Sequence, residues 1–380
     1  MHCGVHCWTH TELVSSSVSI LLPAEILLRG ADSRATTIGL LLPLSGLMGV
    51  AGPSILNCAI LAAEEASERS DSPIELVLID AGRLPNDVAD EVALLVGAGL
   101  VEGLVGTHTS NTRVAVEAIL ADRVPYVFTP PHEANRRVAR SLFLGSDPEE
   151  QLTQPISWIA RNGHVRRWAL IGNDYVWPQA VHKAARRVLR RLGQQVVMDR
   201  LVPLGGVDVA ELVETARRSG ADAVLVSLIG RDGIEFHRGV TEMGAGELFV
   251  RLCTALDENF LVAVGGDSSG RLFTAMPTFL TQTDERHTRL LENYFLRFGS
   301  FAPPPGSYAE GCYDGTHLLA ALVQSGLLES HAATDAANRL VARRLASPRS
   351  HSAHDVVPMR RPASLAQADG TLLEVVSASA

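Results

Sequence analysis

Apolar runs and amphipathic segments alternate twice along this chain, in two series of similar size. In the first series, strand-like runs such as 37–42, 74–79 and 126–128 are separated by segments of helical periodicity. The second series follows a helical segment at 150–161 and continues to about residue 252. Repeated strand–helix units imply right-handed crossovers and parallel sheets. The pattern therefore predicts an α/β fold with two Rossmann-like lobes, whose parallel sheets are joined by a hinge.

The length of the chain and its remaining segments set the predicted domain boundaries. At 380 residues the chain is too long for one core and suits two domains. We predict a poorly structured N-terminal tail over residues 1–35. The N-terminal lobe is expected to comprise 36–148 and about 300–345. The C-terminal lobe, with the hinge crossings, is expected to comprise 149–299 and about 346–380.

Composition and charge exclude several classes of function. The chain is 46% hydrophobic and 20% charged, as expected of a folded protein. Its net charge is −9 with no basic stripe, so nucleic-acid binding has no electrostatic support. A DNA-binding repressor would need a helix-turn-helix before the first strand, and residues 1–35 contain none.

The N-terminus lacks the pattern of a secretory signal peptide. No Lys or Arg precedes the apolar stretch Val18–Leu28, which a proline and a glutamate interrupt. Cys3 and Cys7 precede that stretch, whereas a lipoprotein cysteine follows one. As written, this N-terminus predicts a cytoplasmic protein. A different true start would instead make it a periplasmic or extracytoplasmic lipoprotein.

The cysteines and histidines do not predict a metal centre. The segment His2–Cys7 holds two histidines and two cysteines, which are metal-ligand types at close spacing. No second cluster completes such a site, and a loose tail is the favoured interpretation. Cys58, Cys253 and Cys312 lie in helix or strand patterns and are expected to be buried free thiols.

A strand, a Gly turn and a helix follow one another at residues 101–121. The helix is expected to start near Ser110, a preferred N-cap residue. Such a start leaves backbone N–H groups and the positive end of the helix dipole facing outward. It can hold a carboxylate or a carbonyl oxygen. An ordinary capped helix is the alternative for this turn alone.

Polar and aromatic residues recur where the predicted strands end. Because carboxyl ends of parallel strands meet at one edge, these loops are expected to converge on one cleft between the lobes. The loops are Leu42–Gly46, Gly106–Asn111, Val127–His132, Gly172–Pro178, Ser227–Gly230 and Cys253–Ala255.

No catalytic motif is present in the sequence. It contains no Gly-x-Ser-x-Gly elbow, no Ser-x-x-Lys and no Walker A loop. His108 and Ser110 lie two apart on a turn, and no orienting carboxylate is evident. We therefore predict that the protein is not an enzyme.

Several of these loops resemble those of a known family. The segment Gly172–Pro178 is similar to the Gly-Ser/Asn-Asp-Tyr-x-Tyr/Phe/Trp-Pro segment of type I periplasmic binding proteins, and Ser227–Gly230 followed by Glu235–Arg238 also fits. The resemblance runs from about Thr36 to Val376. It is to the branched-chain amino acid, amide and urea group, and most to the cytosolic aliphatic-amide receptors of amidase operons.

The resemblance implies a ligand site without catalytic residues, metal or cofactor. In such proteins a ligand carbonyl or carboxylate lies at the Ser-bearing helix start, and aromatic side chains from both lobes cover it. An alternative for Tyr175 and Trp177 is that they anchor the hinge. The predicted ligand-binding residues are His108, Ser110, Thr112, Phe128, Thr129, Pro130, Tyr175, Trp177, Leu228 and Thr254.

The chain departs from the family pattern at two polar positions. The amide receptors carry Tyr in place of His108 and Thr in place of Pro130. Amino acid binders of the group need an acidic residue for the ammonium group. Asp257 and Glu258 lie near the relevant strand end, but a capped helix start is the favoured interpretation for them. The sequence therefore favours a neutral, amide-like solute.

Two roles share this fold and this ligand chemistry. The N-terminus favours a cytosolic amide sensor that signals to a regulatory protein. The alternative is the substrate-binding component of an ABC transporter for branched-chain amino acids, amides or urea, with a permease as partner. In both roles two lobes close over a small ligand. Either role is compatible with a homo-oligomer.

Overall fold

The computed structural model describes residues 18–32, 34–70, 72–120, 122–133, 140–327, 335–339 and 362–377. Within these residues, two mainly parallel sheets with flanking helices form two lobes, which confirms the predicted α/β fold. The segment His2–Cys7 lies outside the described residues.

The N-terminal lobe is built on a six-stranded sheet whose neighbouring strands are all parallel. Its strands are β1 (Ser19–Leu21), β2 (Thr36–Leu42), β3 (Ile74–Asp80), β4 (Gly103–Gly106), β5 (Tyr126–Phe128) and β6 (Ser141–Phe143), in the spatial order β1-β3-β2-β4-β5-β6. Its first helices are α1 (Pro23–Arg29), α2 (Gly52–Glu68), α3 (Pro85–Gly97) and α4 (Ser110–Leu120). Every residue of β2 is buried, as expected of a parallel strand covered on both faces.

The predicted poorly structured tail is wrong for residues 19–29. There, β1 pairs with β3 at the edge of the sheet, and α1 follows it. Ile26 of α1 is fully buried, and the Arg29 guanidinium bonds both carboxylate oxygens of Glu75, at 2.8 and 2.5 Å. Of the apolar stretch Val18–Leu28, Val18 and Ile26 thus belong to the core, whereas Leu22, Leu27 and Leu28 are exposed.

The C-terminal lobe has a seven-stranded sheet with an antiparallel edge. After α5 (Pro148–Asn162) come β7 (Arg167–Asn173), α6 (Val176–Arg191), β8 (Gln195–Val202), α7 (Val209–Arg218), β9 (Ala223–Ser227), α8 (Gly230–Glu242), β10 (Val250–Cys253), α9 (Glu258–Val264) and β11 (Leu272–Met276). Strands β7 to β11 pair in parallel.

The part of the chain after β11 contributes to both lobes. It contains α10 (Glu285–Phe298), α11 (Ser307–Gln324), β12 (Ser364–Asp369) and β13 (Leu372–Ser377). Helix α11 packs on α2 and on the N-terminal sheet. Strand β12 pairs antiparallel with β11, and β13 with β12.

The predicted boundary at residue 299 assigns α10 to the wrong lobe. Helix α10 packs on α2 of the N-terminal lobe. Tyr294 accepts a hydrogen bond from Asn57 at 3.1 Å, and Arg297 forms an ion pair with Glu64 at 2.9 Å. The chain therefore crosses from the C-terminal lobe to the N-terminal lobe before α10, in residues 277–284.

The described helices and thiols add two observations. No described helix is both long and apolar enough to cross a membrane. Cys58, Cys253 and Cys312 are buried free thiols, as predicted.

Candidate functional site

The carboxyl ends of the two sheets face each other across a closed cleft. The backbone N–H of Arg231 donates to the carbonyl of Leu47 at 2.9 Å, which joins the two lobes directly. Asn259 of the C-terminal lobe donates to the hydroxyl of Ser54 at 3.1 Å. A Cβ atom on Gly230 would lie 2.1 Å from the Leu47 carbonyl oxygen. The lobes are therefore in contact along the cleft.

A cavity of about 20 Å³ lies between the lobes. It is lined by Met48, His108, Thr109, Ser110, Pro130, Pro131, Tyr175, Trp177, Ile229 and Tyr308. The predicted residues among them are His108, Ser110, Pro130, Tyr175 and Trp177. A volume of this size holds about one water molecule. The lobes must therefore separate before a larger solute can enter.

Ser110 begins α4 at the floor of this cavity. It is the first helical residue, so the capping position falls to Thr109 and not to Ser110 as predicted. Thr109 Oγ1 lies 3.4 Å from Thr112 Oγ1. Among the described residues the Ser110 hydroxyl has no hydrogen-bond partner, although the residue is only 3% exposed. This hydroxyl is available to a ligand.

His108 lines the cavity as a neutral ring. Its Nδ1 lies 3.0 Å from the carbonyl of Thr109, which can only accept, so Nδ1 carries the proton. Its Nε2 then accepts from the Tyr126 hydroxyl at 2.8 Å. Burial lowers the pKa of His108 to about 4. The ring thus presents an uncharged surface to the cavity, with both nitrogens already paired.

Tyr175 and Trp177 reach the cavity from the start of α6 in the C-terminal lobe. Asn173, fully buried at the end of β7, positions this loop. Its Oδ1 accepts from the backbone N–H of Ile229 at 2.9 Å, and its Nδ2 donates to Asp232 at 2.6 Å. Within the part of the chain that the structure describes, the indole Nε1 of Trp177 is buried without a hydrogen-bond partner. Trp177 therefore lines the cavity and carries an unpaired donor.

Three predicted residues of the N-terminal lobe do not line this cavity, although one of them, Thr129, lines a neighbouring cavity of about 20 Å³. Phe128 is fully buried, because alternate residues of a strand share a face and it lies beside Tyr126 in the core. Thr129 Oγ1 is 2.7 Å from Thr107 Oγ1. Thr112 is 1% exposed in the first turn of α4.

Two predicted residues of the C-terminal lobe also lie outside the cavity lining. Leu228 is buried, and the cavity is lined instead by its neighbour Ile229. Thr254 is fully buried, with its hydroxyl donating to the Val226 carbonyl at 3.3 Å. Its own carbonyl accepts from Gln151 at 2.9 Å. Thr254 therefore holds α5 against the sheet.

Asp257 caps α9, as the favoured interpretation predicts. Its Oδ1 accepts from the backbone N–H groups of Asn259 and Phe260. Neither Asp257 nor Glu258 lines the cavity, so its described lining contains no acidic side chain. Within the described residues no group of His, Cys, Asp and Glu could hold a metal ion.

Five of the lining residues were not predicted from the sequence, namely Met48, Thr109, Pro131, Ile229 and Tyr308. Met48 follows the Gly-containing loop after β2, which the sequence does mark as a cleft loop. Tyr308 lies in the first turn of α11. No local signal identifies it, because only the packing of α11 on the N-terminal sheet brings its start to the cleft.

Proteins of related sequence and structure bind solutes. The Leu/Ile/Val-binding protein BraC3 of Rhizobium johnstonii is 24% identical over 243 residues, which are 62% of this chain and 65% of that protein. The match thus spans less than two thirds of that relative's length.

Solved structures share the fold at low sequence identity. The ABC transporter substrate-binding protein from Sphaerobacter thermophilus has a TM-score of 0.71 and 20% identity, with 90% of this chain and 97% of that chain covered. An ABC transporter solute-binding protein from R. palustris, in complex with benzoate, has a TM-score of 0.72 and 15% identity, with coverage of 90% and 96%. A family model described as periplasmic binding protein matches residues 35–370, and the chain therefore belongs to the periplasmic binding protein family.

Proposed function

We propose that this chain is the substrate-binding component of an ABC transporter and works outside the cytoplasm. Family membership and the fold shared with transporter components support this role. The cytosolic amide sensor, which the N-terminus alone favours, gains no support from these comparisons. Solute would bind between open lobes, and closure would present the complex to a permease. The closed state is favoured only as far as the ligand binds it more tightly than the open state.

The ligand in this proposal carries a carbonyl or carboxylate oxygen and no ammonium group. The observation that carries this step is a set of unpaired donors enclosed between the lobes. The Trp177 indole N–H can only donate, and the Ser110 hydroxyl lies at a helix start that favours electron-rich oxygen. The hydroxyls of Tyr175 and Tyr308 likewise have no partner among the described residues.

The described lining offers nothing to neutralise an ammonium group. The lining of this cavity contains no carboxylate, and His108 is uncharged. Asp314 lines a neighbouring cavity that shares Pro130, Pro131 and Tyr308, but its carboxylate already forms an ion pair with Arg286. Burying an unpaired charge is far more costly than burying a paired polar group. Amides and urea carry no charge, and a simple carboxylate such as benzoate can accept hydrogen bonds from the donors at the start of α4. We therefore propose these classes in preference to zwitterionic amino acids.

A thermal-unfolding screen tests this ligand chemistry. The probes are acetamide, urea, benzoate and leucine, each added to the purified protein. A ligand at about 100 times its dissociation constant stabilises the folded state by roughly 2.7 kcal/mol. We expect the melting temperature to rise with an amide, urea or benzoate and to stay unchanged with leucine. A rise with leucine alone would refute the proposed ligand class.

Replacing Trp177 by Phe should weaken binding of the solute found in that screen by about 3- to 10-fold. The change removes one neutral hydrogen bond, worth about 1 kcal/mol, and keeps an aromatic ring. The double variant Ser110→Ala with Trp177→Ala should lose at least about 100-fold, since a covering ring is lost as well. Isothermal titration calorimetry measures both.

Trp168→Phe is the matched control for that series. Trp168 Nε1 is also buried without a partner, but the residue lies in the core of the C-terminal lobe. Its replacement should leave the affinity unchanged. Equal affinities for wild type and the Ser110/Trp177 double variant would show that the ligand binds elsewhere.

A further inference from the structure

The start of α9 lies in the junction between the two lobes. Asn259 donates to the hydroxyl of Ser54 at 3.1 Å and to the carbonyl of Pro304 at 2.9 Å, both in the N-terminal lobe. The Phe260 ring meets the edge of the Tyr308 ring, with centroids 5.9 Å apart. Separation of the lobes at this junction must therefore break these contacts and expose the first turn of α9.

Two consecutive carboxyls, Asp257 and Glu258, are enclosed in this junction. They are 0% and 2% exposed. Asp257 Oδ1 accepts from the N–H groups of its own helix, and Glu258 Oε1 accepts from the N–H of Leu280 at 2.7 Å. Among the described residues the second oxygen of each carboxyl has no hydrogen-bond partner of good geometry, although the backbone N–H of Tyr308 lies near enough to lower the pKa of Asp257. Each group is thus only half satisfied where it is buried.

Both unpaired oxygens lie against the same residue of the opposite lobe. A Cβ atom on Gly306 would lie 2.5 Å from Asp257 Oδ2 and 3.0 Å from Glu258 Oε2. Gly306 immediately precedes α11, the helix that packs on the N-terminal sheet. The two carboxyls therefore approach the start of this helix as closely as a glycine allows.

The cations of α10 are engaged with other carboxylates. Arg286 forms ion pairs with Glu310 and Asp314 of α11. His287 Nδ1 lies 2.8 Å from the second carboxylate oxygen of Glu310. These contacts form a cluster beside the Asp257–Glu258 pair, and the charge of Glu258 contributes to the raised pKa of His287.

The other elements around the pair supply no neutralising charge either. Arg238 of α8 donates to the carbonyl of Ala263, near the last residue of α9 and away from its start. Burial raises the pKa of the Tyr308 hydroxyl, which therefore stays neutral. Within the described residues neither Asp257 nor Glu258 forms an ion pair, so two ionised carboxylates here would be costly.

Both carboxyls are held toward their protonated forms. Burial raises the pKa of Asp257 to about 6, against the effect of nearby backbone N–H groups. Burial raises the pKa of Glu258 to about 8, and the neighbouring charge of Asp257 acts in the same direction. His287 opposes this shift weakly.

We propose that Asp257 and Glu258 couple closure of the lobes to proton uptake. In the closed arrangement a proton on one of the unpaired oxygens removes one buried charge from the junction. In the open arrangement water reaches the first turn of α9, and the pair can release that proton and ionise. Low pH then favours closure by acting on this pair, independently of any group in the cavity.

The sign of the pH dependence follows from the proton that the pair takes up on closure. Exposed carboxyls titrate near pH 4, and those of the closed junction titrate higher. The bound proton stabilises the closed arrangement fully at pH values below the open-state pKa of the pair. This stabilisation is lost as the pH rises through the closed-state pKa values. For one coupled proton, the ratio of open to closed molecules should rise by up to about tenfold per pH unit between about pH 5 and pH 8.

Small-angle scattering of the unliganded full chain tests the proposal. We expect the radius of gyration to be larger at pH 8 than at pH 5. Glu258→Gln should remain compact at both pH values, because a neutral amide replaces the titrating group. Glu374→Gln, which changes an exposed acid of the same lobe, should keep the wild-type change.

Two outcomes would overturn the proposal. One is a wild-type radius that does not change between pH 5 and pH 8, and the other is a Glu258→Gln variant that changes as much as wild type. If Glu258→Gln does not fold, Gly306→Ala serves instead, because its methyl group should hold the junction open at both pH values. A Gly306→Ala protein as compact as wild type at pH 5 would also refute the proposed coupling of closure to proton uptake. No ligand is needed, so failure here is distinct from failure of the proposed function.

Discussion

Replacing Arg113 by leucine is expected to destabilise the protein by about 3–5 kcal/mol at neutral pH. The Arg113 guanidinium, 5% exposed, forms ion pairs with Glu117 and Glu133, which are 8% and 10% exposed. It also lies over the Phe128 and Phe143 rings, at 5.6 and 5.4 Å from their centroids. Its removal leaves two buried carboxylates without this cation, beneath the cleft. Urea unfolding followed by circular dichroism measures the loss.

The cost should depend on charge and not on side-chain volume alone. Adding Glu117→Gln and Glu133→Gln to Arg113→Leu should recover much of the lost stability, because no buried charge then lacks a partner. The loss in the single variant should also shrink at low pH, where carboxyls are protonated. As a control, Arg217→Leu breaks the exposed pair with Glu214 and should change stability little. Equal effects of Arg113→Leu and Arg217→Leu would contradict this account.

The regular part of the fold could be predicted from local sequence patterns. The strand at 126–128 matches its predicted bounds, and the strands predicted at 37–42 and 74–79 each differ from β2 and β3 by one residue at one end. Each combines a clear hydrophobic period with flanking turn residues, so local preference and tertiary burial agree. Such agreement also made the two-lobed arrangement predictable, since repeated strand–helix units leave few topologies.

Two short elements were predicted incompletely or not at all. Strand β6 has only three residues and was not predicted, and of α9, whose seven residues make less than two helical turns, only the capped start at Asp257 was predicted. Strand β1 was missed for another reason. Its apolar stretch resembles an interrupted leader, and only pairing with β3 makes it part of a sheet.

The lobe to which a helix belongs was beyond local patterns. Helix α10 has an apolar stripe, but such a stripe does not identify the surface that it covers. Its contacts with Asn57 and Glu64 decide that, and both partners lie over 200 residues earlier. Tyr308 was not predicted at the cleft for the same reason, because only the packing of α11 on the N-terminal lobe brings it there.

The candidate site was predicted best where a residue begins a helix at a strand end. Ser110, Tyr175 and Trp177 are placed by such turns, and all three line the cavity. Phe128 lies within a strand, so the alternation of strand side chains assigns it to the face of Tyr126, in the core. Applied at that position, strand alternation would have given the observed placement.

Gly230→Ala should weaken solute binding by about 10- to 100-fold while both lobes stay folded. Its methyl group would lie 2.1 Å from the Leu47 carbonyl oxygen of the opposite lobe. Inserting a methyl group into such a close contact costs about 1–3 kcal/mol, and each 1.4 kcal/mol is tenfold in affinity. The lobes must separate to relieve the clash, which also lengthens the Arg231–Leu47 hydrogen bond. Calorimetric titration with the solute found by thermal screening measures the loss.

Gly244→Ala is the control that separates the effect of a methyl group on closure from its effect on backbone strain. Gly230 and Gly244 have φ of +53° and +63°, so alanine is strained at both positions of the C-terminal lobe. A Cβ atom on Gly244 meets nothing within 4 Å, however. Both variants should therefore lose similar stability, whereas only Gly230→Ala should lose affinity and show a larger radius of gyration in solution. Equal affinities of the two variants would mean that the contact between Gly230 and Leu47 plays no part in closing the cleft over its ligand.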